Sequence, residues 1–268
     1  MTLPQYYLNG FLVKSVICWL LASSGNLWAD DGAETPTSLR FAIVYVEEPP
    51  FIYTENTENT EKYKGIVPYL AQALSRALDL ELEYIPTSRK GLEATIISGQ
   101  ADVTWLSPEW VNDKEKLIFS NPVFDHKEFL YSLNPLEDND NPVDWLRDKT
   151  ICVRQDYQYP SLHAFFNEDV AQAVRVSSQV PLVTLLLGNR CDLLYMNEHR
   201  ANWMFTSLSI KRQVFRSSKP LQETHLAFMF NKTWQNKMTQ INQALAKIKN
   251  SGELAQMIQS QLNSSPLP

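Results

Sequence analysis

The sequence predicts an α/β chain built from two similar units, and three observations carry that reading. Strand and helix patterns alternate between residues 39 and 106, and they alternate again between 151 and 195. A stretch rich in Asn, Asp and Pro, residues 134–148, separates the two runs. Each unit therefore reads as a small, mostly parallel sheet flanked by crossover helices.

In the first unit, residues 39–46 form an apolar strand, which Pro49 and Pro50 end because proline cannot donate to a ladder. Residues 54–61 are a Thr/Glu/Asn near-repeat without apolar side chains and read as a solvated loop. Ile66, Tyr69, Leu70, Ala73, Leu74, Ala77 and Leu78 recur at helical spacing, with Pro68 tolerated in the first turn. Residues 81–85 alternate as a strand. Ser88 can cap a helix running to Ser98, with Gly99 past its end, and residues 102–106 form the third strand. In the second unit, strands are expected at 151–153, 173–176 and 192–195. One helix is expected at 159–166, and a second, capped by Ser178, ends at Gly188. A late strand at 224–230 precedes two amphipathic helices at 233–249 and 252–262.

Residues 1–29 read as a cleaved secretory signal. Lys14 is followed by the apolar run 16–22 and by small and polar residues up to Ala29. Leu27 is larger than the residue usual at its place before a cleavage site, and an uncleaved anchor or a buried helix is the other reading of this stretch. The apolar run is shorter than the ~20 residues a bilayer span needs. Without residues 1–29 the chain keeps 23 basic against 30 acidic residues, a net charge of −7. Such a chain is a poor partner for nucleic acid, which needs clustered Lys and Arg. The four histidines are scattered, no Cys/His cluster has metal-ligand spacing, and no metal or cofactor is expected.

Cys152 and Cys191 remain after cleavage, either as a disulfide or as two buried thiols. Cys152 opens the first strand of the second unit and Cys191 precedes its third. In a doubly wound sheet these strands are neighbours and parallel, which favours the disulfide.

Several short motifs occur in a shared order. They are Pro49-Pro50-Phe51 after the first strand, Gly65 at the first helix, and Gly99-Gln100-Ala101-Asp102-Val103 before the third strand. Phe119-Ser120-Asn121-Pro122-Val123-Phe124, the turn from Leu187 to Asp192, His225 to Asn231, and Ser251-Gly252-Glu253-Leu254 follow. In these stretches, from about residue 39 to 262, the chain resembles the bacterial extracellular solute-binding proteins of family 3. The resemblance implies the two-lobed periplasmic binding protein fold of type II: lobe 1 at 38–131 completed by 226–264, lobe 2 at 132–225, and hinge strands near 130–133 and 223–226. It also implies a ligand between the lobes, beyond the carboxyl ends of the strands.

That places the candidate site in segments 47–53, 105–114, 154–159 and 197–198. Departures from the family pattern fall here. Asp113, with Lys114 beside it, replaces the usual carboxylate-binding Arg, and Asn197 replaces the usual ammonium-binding Asp. Asp156-Tyr157-Gln158 replaces a Gly-Thr-Thr-like loop, and Ile66-Val67-Pro68 lacks the usual acidic residues. Arg89 is a candidate substitute that can grip a carboxylate bidentately, or else an exposed cation near a helix start. Phe51, Trp105, Trp110 and Tyr157 are candidate walls or core residues. Glu48 and Asp156 are candidate partners of a ligand amine or solvated carboxylates. Ser107, Lys114 and Asn197 complete the expected ligand set.

The expectation is a monomeric periplasmic protein that captures a small polar solute, an amino acid or related carboxylate, for a membrane permease of an import transporter. A ligand sensor for a membrane receptor and a periplasmic dehydratase share the fold and are the alternatives. The sequence holds no recognisable nucleophile–base set, so binding is expected rather than catalysis.

Overall fold

The structure is a computed structural model that describes residues 36–45, 48–57, 60–136, 142–155 and 157–263. The expected signal, residues 1–29, and Asp156 lie outside the described residues. The first run of elements is β1 (Ser38–Val44), β2 (Tyr53–Thr57), β3 (Thr60–Lys64), α1 (Ile66–Ala77), β4 (Glu81–Thr87), α2 (Leu92–Ile97), β5 (Val103–Leu106), β6 (Leu117–Phe119) and β7 (Phe124–Ser132). The second is α3 (Pro142–Leu146), β8 (Lys149–Arg154), α4 (Pro160–Asn167), β9 (Ala171–Val176), α5 (Gln179–Leu187), β10 (Leu193–Asn197), α6 (Glu198–Ser207) and β11 (Phe215–Arg216). The chain closes with β12 (Gln222–Asn231), α7 (Met238–Asn250) and α8 (Glu253–Asn263).

The main strand order is β4-β1-β5-β12-β7-β10-β8-β9, with β6 on β12 and β11 on β7. β1 runs parallel to β4 and β5, and β8 runs parallel to β9 and β10, as the alternating pattern predicts. Between these parallel sets lie β12 and β7, antiparallel to each other. β12 belongs to both halves: Ala227–Phe230 pair with β5, whereas Gln222–Leu226 pair with β7.

The buried apolar residues follow the same division. Phe41, Ile43, Leu70, Leu74, Phe228 and Ile241 share one first-half core, packed between the sheet and α1, α7 and α8. In the second half, Cys152, Leu182, Leu194 and Met204 pack on one face of the sheet, and Ile151, Leu162, Leu193 and Tyr195 on the other. Adjacent residues of β8 and β10 thus fill opposite faces, as strand alternation requires.

Three details differ from the sequence reading. Residues 54–61 read as a solvated loop, but β2 and β3 form an antiparallel hairpin. Its ends are anchored by side chains outside the near-repeat: Tyr63 packs edge-on to Tyr84 at 5.0 Å, and Tyr53 donates to Gln261 at 2.8 Å. The helix expected from Ser88 starts only at Leu92, because the Ser88 hydroxyl instead accepts from the Gly91 amide in the preceding turn. Leu130 and Tyr131 pack in second-half cores on opposite faces, so β7 crosses between the halves at Phe124–Glu128, ahead of 130–133.

Cys152 and Cys191 are bonded, with Cα atoms 5.8 Å apart. β8 and β10 are parallel neighbours with Cys152 opposite Leu194, which brings the Cys191 turn beside β8. The bond closes a 39-residue separation, and constraining a loop of that size in the unfolded chain is worth about 2–4 kcal/mol. The double variant Cys152→Ser/Cys191→Ser is expected to lose about that much unfolding free energy in urea titration. An unchanged midpoint would show that the bond does not restrain the unfolded chain.

Candidate functional site

The site forms where the two halves meet, and it starts from the grip of α1 on the loop before it. The amides of Ile66 and Val67 donate to the carbonyls of Pro50 and Phe51, both at 3.0 Å. Gly65 makes this approach feasible: its φ is +109°, and a Cβ would lie 2.6 Å from both carbonyl oxygens. The loop is closed by mutual backbone bonds between Glu48 and Ile52, and it presents Glu48 and Phe51.

Phe51 is buried in an aromatic cluster, with Trp105 and Phe124 each at 6.0 Å and His126 at 5.8 Å between ring centroids. Trp110 meets His126 edge-on at 5.5 Å, and His199 lies 5.2 Å from Phe124. Into this cluster from the second half comes Arg200. Its guanidinium lies 5.2 Å from the Phe51 centroid and donates to the Glu48 carboxylate at 3.2 Å. Tyr157, also from the second half, donates to the other Glu48 oxygen. Glu48 is therefore held by two side chains from the second half.

A second polar chain lies along β7 and β10. His126 approaches Glu128 at 3.7 Å, and the other Glu128 oxygen accepts from Tyr195 at 2.8 Å. Burial first, and then Glu128, raises the Tyr195 pKa, keeping that phenol protonated. Asn197 is buried and caps α6, accepting from the amides of His199 at 3.0 Å and Arg200 at 3.3 Å. Its amide nitrogen donates to the Lys127 carbonyl at 3.1 Å and faces His126 Nδ1 at 3.3 Å. Donation to Nδ1 places the neutral ring's proton on Nε2, toward Glu128.

The expected site residues thus divide. Glu48, Phe51, Trp105, Trp110 and Tyr157 converge on the cleft cluster. Asn197 sits beside it as a fully bonded cap rather than an open ligand group. Ser107 is buried and caps the turn of residues 108–110, accepting from the Glu109 amide at 3.1 Å. Lys114 is exposed on the next turn, on a loop whose Asn112 and Asp113 amides Glu93 holds. Arg89 is exposed and, among the described residues, has no hydrogen-bond or ion-pair partner. Burial lowers its pKa, while the fields of Glu48 and then Glu93 raise it; a guanidinium stays charged under such a shift.

Sequence reasoning missed Arg200, His126, Glu128 and His199. Arg200 lies on α6, whose weak apolar periodicity hides the helix. The one available signal was Asn197 as a cap, which would have placed Arg200 in the first turn.

Four polar atoms at this junction are buried without a partner among the described residues: Trp105 Nε1, Arg200 Nε, His199 Nδ1 and Thr224 Oγ1. Buried polar atoms are normally satisfied, so a cluster of orphans marks a place for a polar guest. The model of the bacterial extracellular solute-binding proteins, family 3, matches residues 42–263.

The chain belongs to that family.

Its fold agrees with solved structures. An amino acid ABC transporter substrate-binding protein, AbpA, from Streptococcus pneumoniae, bound to L-arginine, is 21% identical with a TM-score of 0.65, over 85% of this chain and 95% of that one. The GluR0 ligand binding core complexed with L-glutamate is 17% identical with a TM-score of 0.64, over 84% and 98%. An ancestral amino acid-binding protein described as a precursor of cyclohexadienyl dehydratase is 17% identical with a TM-score of 0.59, over 84% and 95%. No curated protein sequence matches the chain. These likenesses establish the type II periplasmic binding protein fold, a mixed sheet flanked by helices in two lobes.

Two outcomes follow from the site's construction. Gly65→Ala forces a Cβ onto two carbonyls at a left-handed φ and is expected to cost about 1–3 kcal/mol in denaturant titration. An unaltered midpoint would show that the α1 start does not fix the loop. The His199 pKa is lowered from 6.5, chiefly by burial, with Glu198 opposing and His126 adding to the shift. The unfolded chain therefore binds the proton first, so this contribution is full above about pH 6.5 and falls as the pH drops below it. Urea midpoints measured from pH 8 to pH 5 should decline less in His199→Gln than in the parent protein, and parallel curves would exclude His199 as a source of the decline.

Proposed function

We propose that the protein is an exported, monomeric binding protein of the periplasm. It captures a small polar solute, an amino acid or related carboxylate, between its lobes and delivers it to the membrane permease of an import transporter. The observation that carries this reading is the convergence of buried polar groups from both lobes on one junction, where Arg200 Nε, His199 Nδ1 and Trp105 Nε1 have no partner among the described residues. Family membership and the L-arginine and L-glutamate named for similar structures support an amino-acid-like solute. The Cys152–Cys191 bond supports an oxidising compartment, and thereby the reading of residues 1–29 as an export signal.

Binding is favoured over turnover. Glu48, the acidic group of this cluster brought in by the first half, is engaged at both oxygens, accepting from Tyr157 and Arg200. Arg89, without a hydrogen-bond or ion-pair partner among the described residues, is a first-lobe cation that can meet a solute carboxylate alongside Arg200 of the second lobe.

The protein lacking residues 1–29 is to be screened by thermal shift against individual L-amino acids and small carboxylates, and hits measured by calorimetry. A ligand at about a hundred times its Kd adds about 2.7 kcal/mol of stability, which raises the melting temperature. Arg89→Ala is expected to weaken a carboxylate hit by about tenfold or more, the loss of one charged hydrogen bond. Unchanged affinity would remove Arg89 from the site. Absence of any hit, together with turnover of a cyclic carboxylate, would favour the dehydratase alternative.

A further inference from the structure

We infer that Glu48 is a tethered competitor: its carboxylate occupies Arg200, and a solute carboxylate binds by displacing it. The inference rests on the cleft-binding reading above and specifies how that cleft is loaded.

The Arg200 side chain is only 10% exposed and that of Glu48 19%. An arginine in such a place should have its fork of donors filled, and a carboxylate fills it best with two parallel bonds. Glu48 does not do so. It takes Nη2 alone, at 3.2 Å, while Nε on the same edge of the guanidinium is buried and unpartnered. The edge that would hold a carboxylate bidentately is thus half used, by a group tied to the loop of residues 48–52. A free carboxylate is not restrained by that loop and can take both positions. The Trp105 indole N–H, also buried and unpartnered, is a further donor in the same aromatic cluster. Unmet donors call for an acceptor-rich guest.

The same cluster offers little to an amine. Asn197 stands where the family pattern has an acidic residue, and its carbonyl oxygen is committed to two backbone amides of α6. Glu48 itself is held by Arg200 and Tyr157. The polarity of the cleft is therefore set by a second-lobe cation, with a first-lobe carboxylate as its resident partner. Because Glu48 and Arg200 come from different lobes, the contact also ties the lobes together. A solute must break it, and its apparent affinity falls by the fraction of molecules in which the contact is open.

The test has a ligand-free arm and a ligand arm, with Glu48→Gln and Glu48→Ala as two independent variants checked for native circular dichroism. Without ligand, small-angle X-ray scattering should show both variants more expanded than the parent protein. Indistinguishable profiles would overturn the closed contact. In calorimetry the probes are L-glutamate, L-glutamine and L-arginine, with agmatine, the carboxylate-free counterpart of arginine, and inorganic phosphate as controls. Any of the three amino acids that binds should do so about tenfold or more tightly to Glu48→Gln than to the parent protein, and Arg200→Met should lose that binding. Agmatine and phosphate should show no such gain. If amino acids bind with an affinity indifferent to residue 48, solute binding stands and the competitor is overturned. If the variants expand but no amino acid binds any form, the closed contact stands, and displacement by a carboxylate falls together with an amino-acid ligand.

Discussion

One strand pairing carries the whole arrangement. β12 completes the first sheet through Ala227–Phe230 and the second through Gln222–Leu226, whose partner is the start of β7. The register sets Thr224 opposite His126 and Gln222 opposite Glu128. Strand alternation then fixes which of these side chains share a face. On its other side β7 pairs with β10, where Asn197 stands opposite Glu128, and a slip of β7 by one residue there would turn His126 and Glu128 to the other face, away from Asn197 and Tyr195. The site is thus a property of the crossing strands as much as of the loops that approach them.

Within that frame the charged groups sit in an environment that suits them poorly by themselves. Arg200 and Glu48 are mostly buried, and Phe51, Trp105, Phe124 and Trp110 surround the junction. Taking two charges out of water offsets much of what their attraction contributes, so a buried pair of this kind is weak ground for stability. The face of Phe51 beneath the guanidinium recovers part of the lost hydration. Part of the remaining deficit is visible as the orphaned polar atoms of Trp105, His199, Arg200 and Thr224 at the junction. Among the described residues, the core clusters on either side are filled by aliphatic and aromatic side chains.

Much of the fold was legible because it depends on local patterning. The period of α1, the runs of β1, β5, β8 and β10, and the pairing of Cys152 with Cys191 follow from spacing and strand order. The β2–β3 hairpin was not legible, since its strands are polar and its anchors, Tyr84 and Gln261, lie outside it. α6 escaped because its apolar residues follow no clear face. The site was legible in part. Glu48, Phe51, Trp110 and Tyr157 stand after strands, and Trp105 near the end of one, where ligands of open α/β sheets collect. Arg200 meets Glu48 across 152 positions of sequence, and nothing local to either residue signals the other. His126 and Glu128 belong to a crossing strand whose role depends on a partner nearly a hundred residues away.

The disulfide has a mechanical meaning as well as a thermodynamic one. Both of its residues lie in the second half, where it fastens β8 to the turn entering β10. With β8 also bound to β9 along six residue pairs, that sheet is a stiff plate. Shear within this plate would have to work against both the bond and the ladder, so any adjustment between the halves falls to the short β7–β12 pairing, the place where Phe124 and His126 stand beside Phe51. The covalent bond thus sets where the protein can bend by fixing where it cannot.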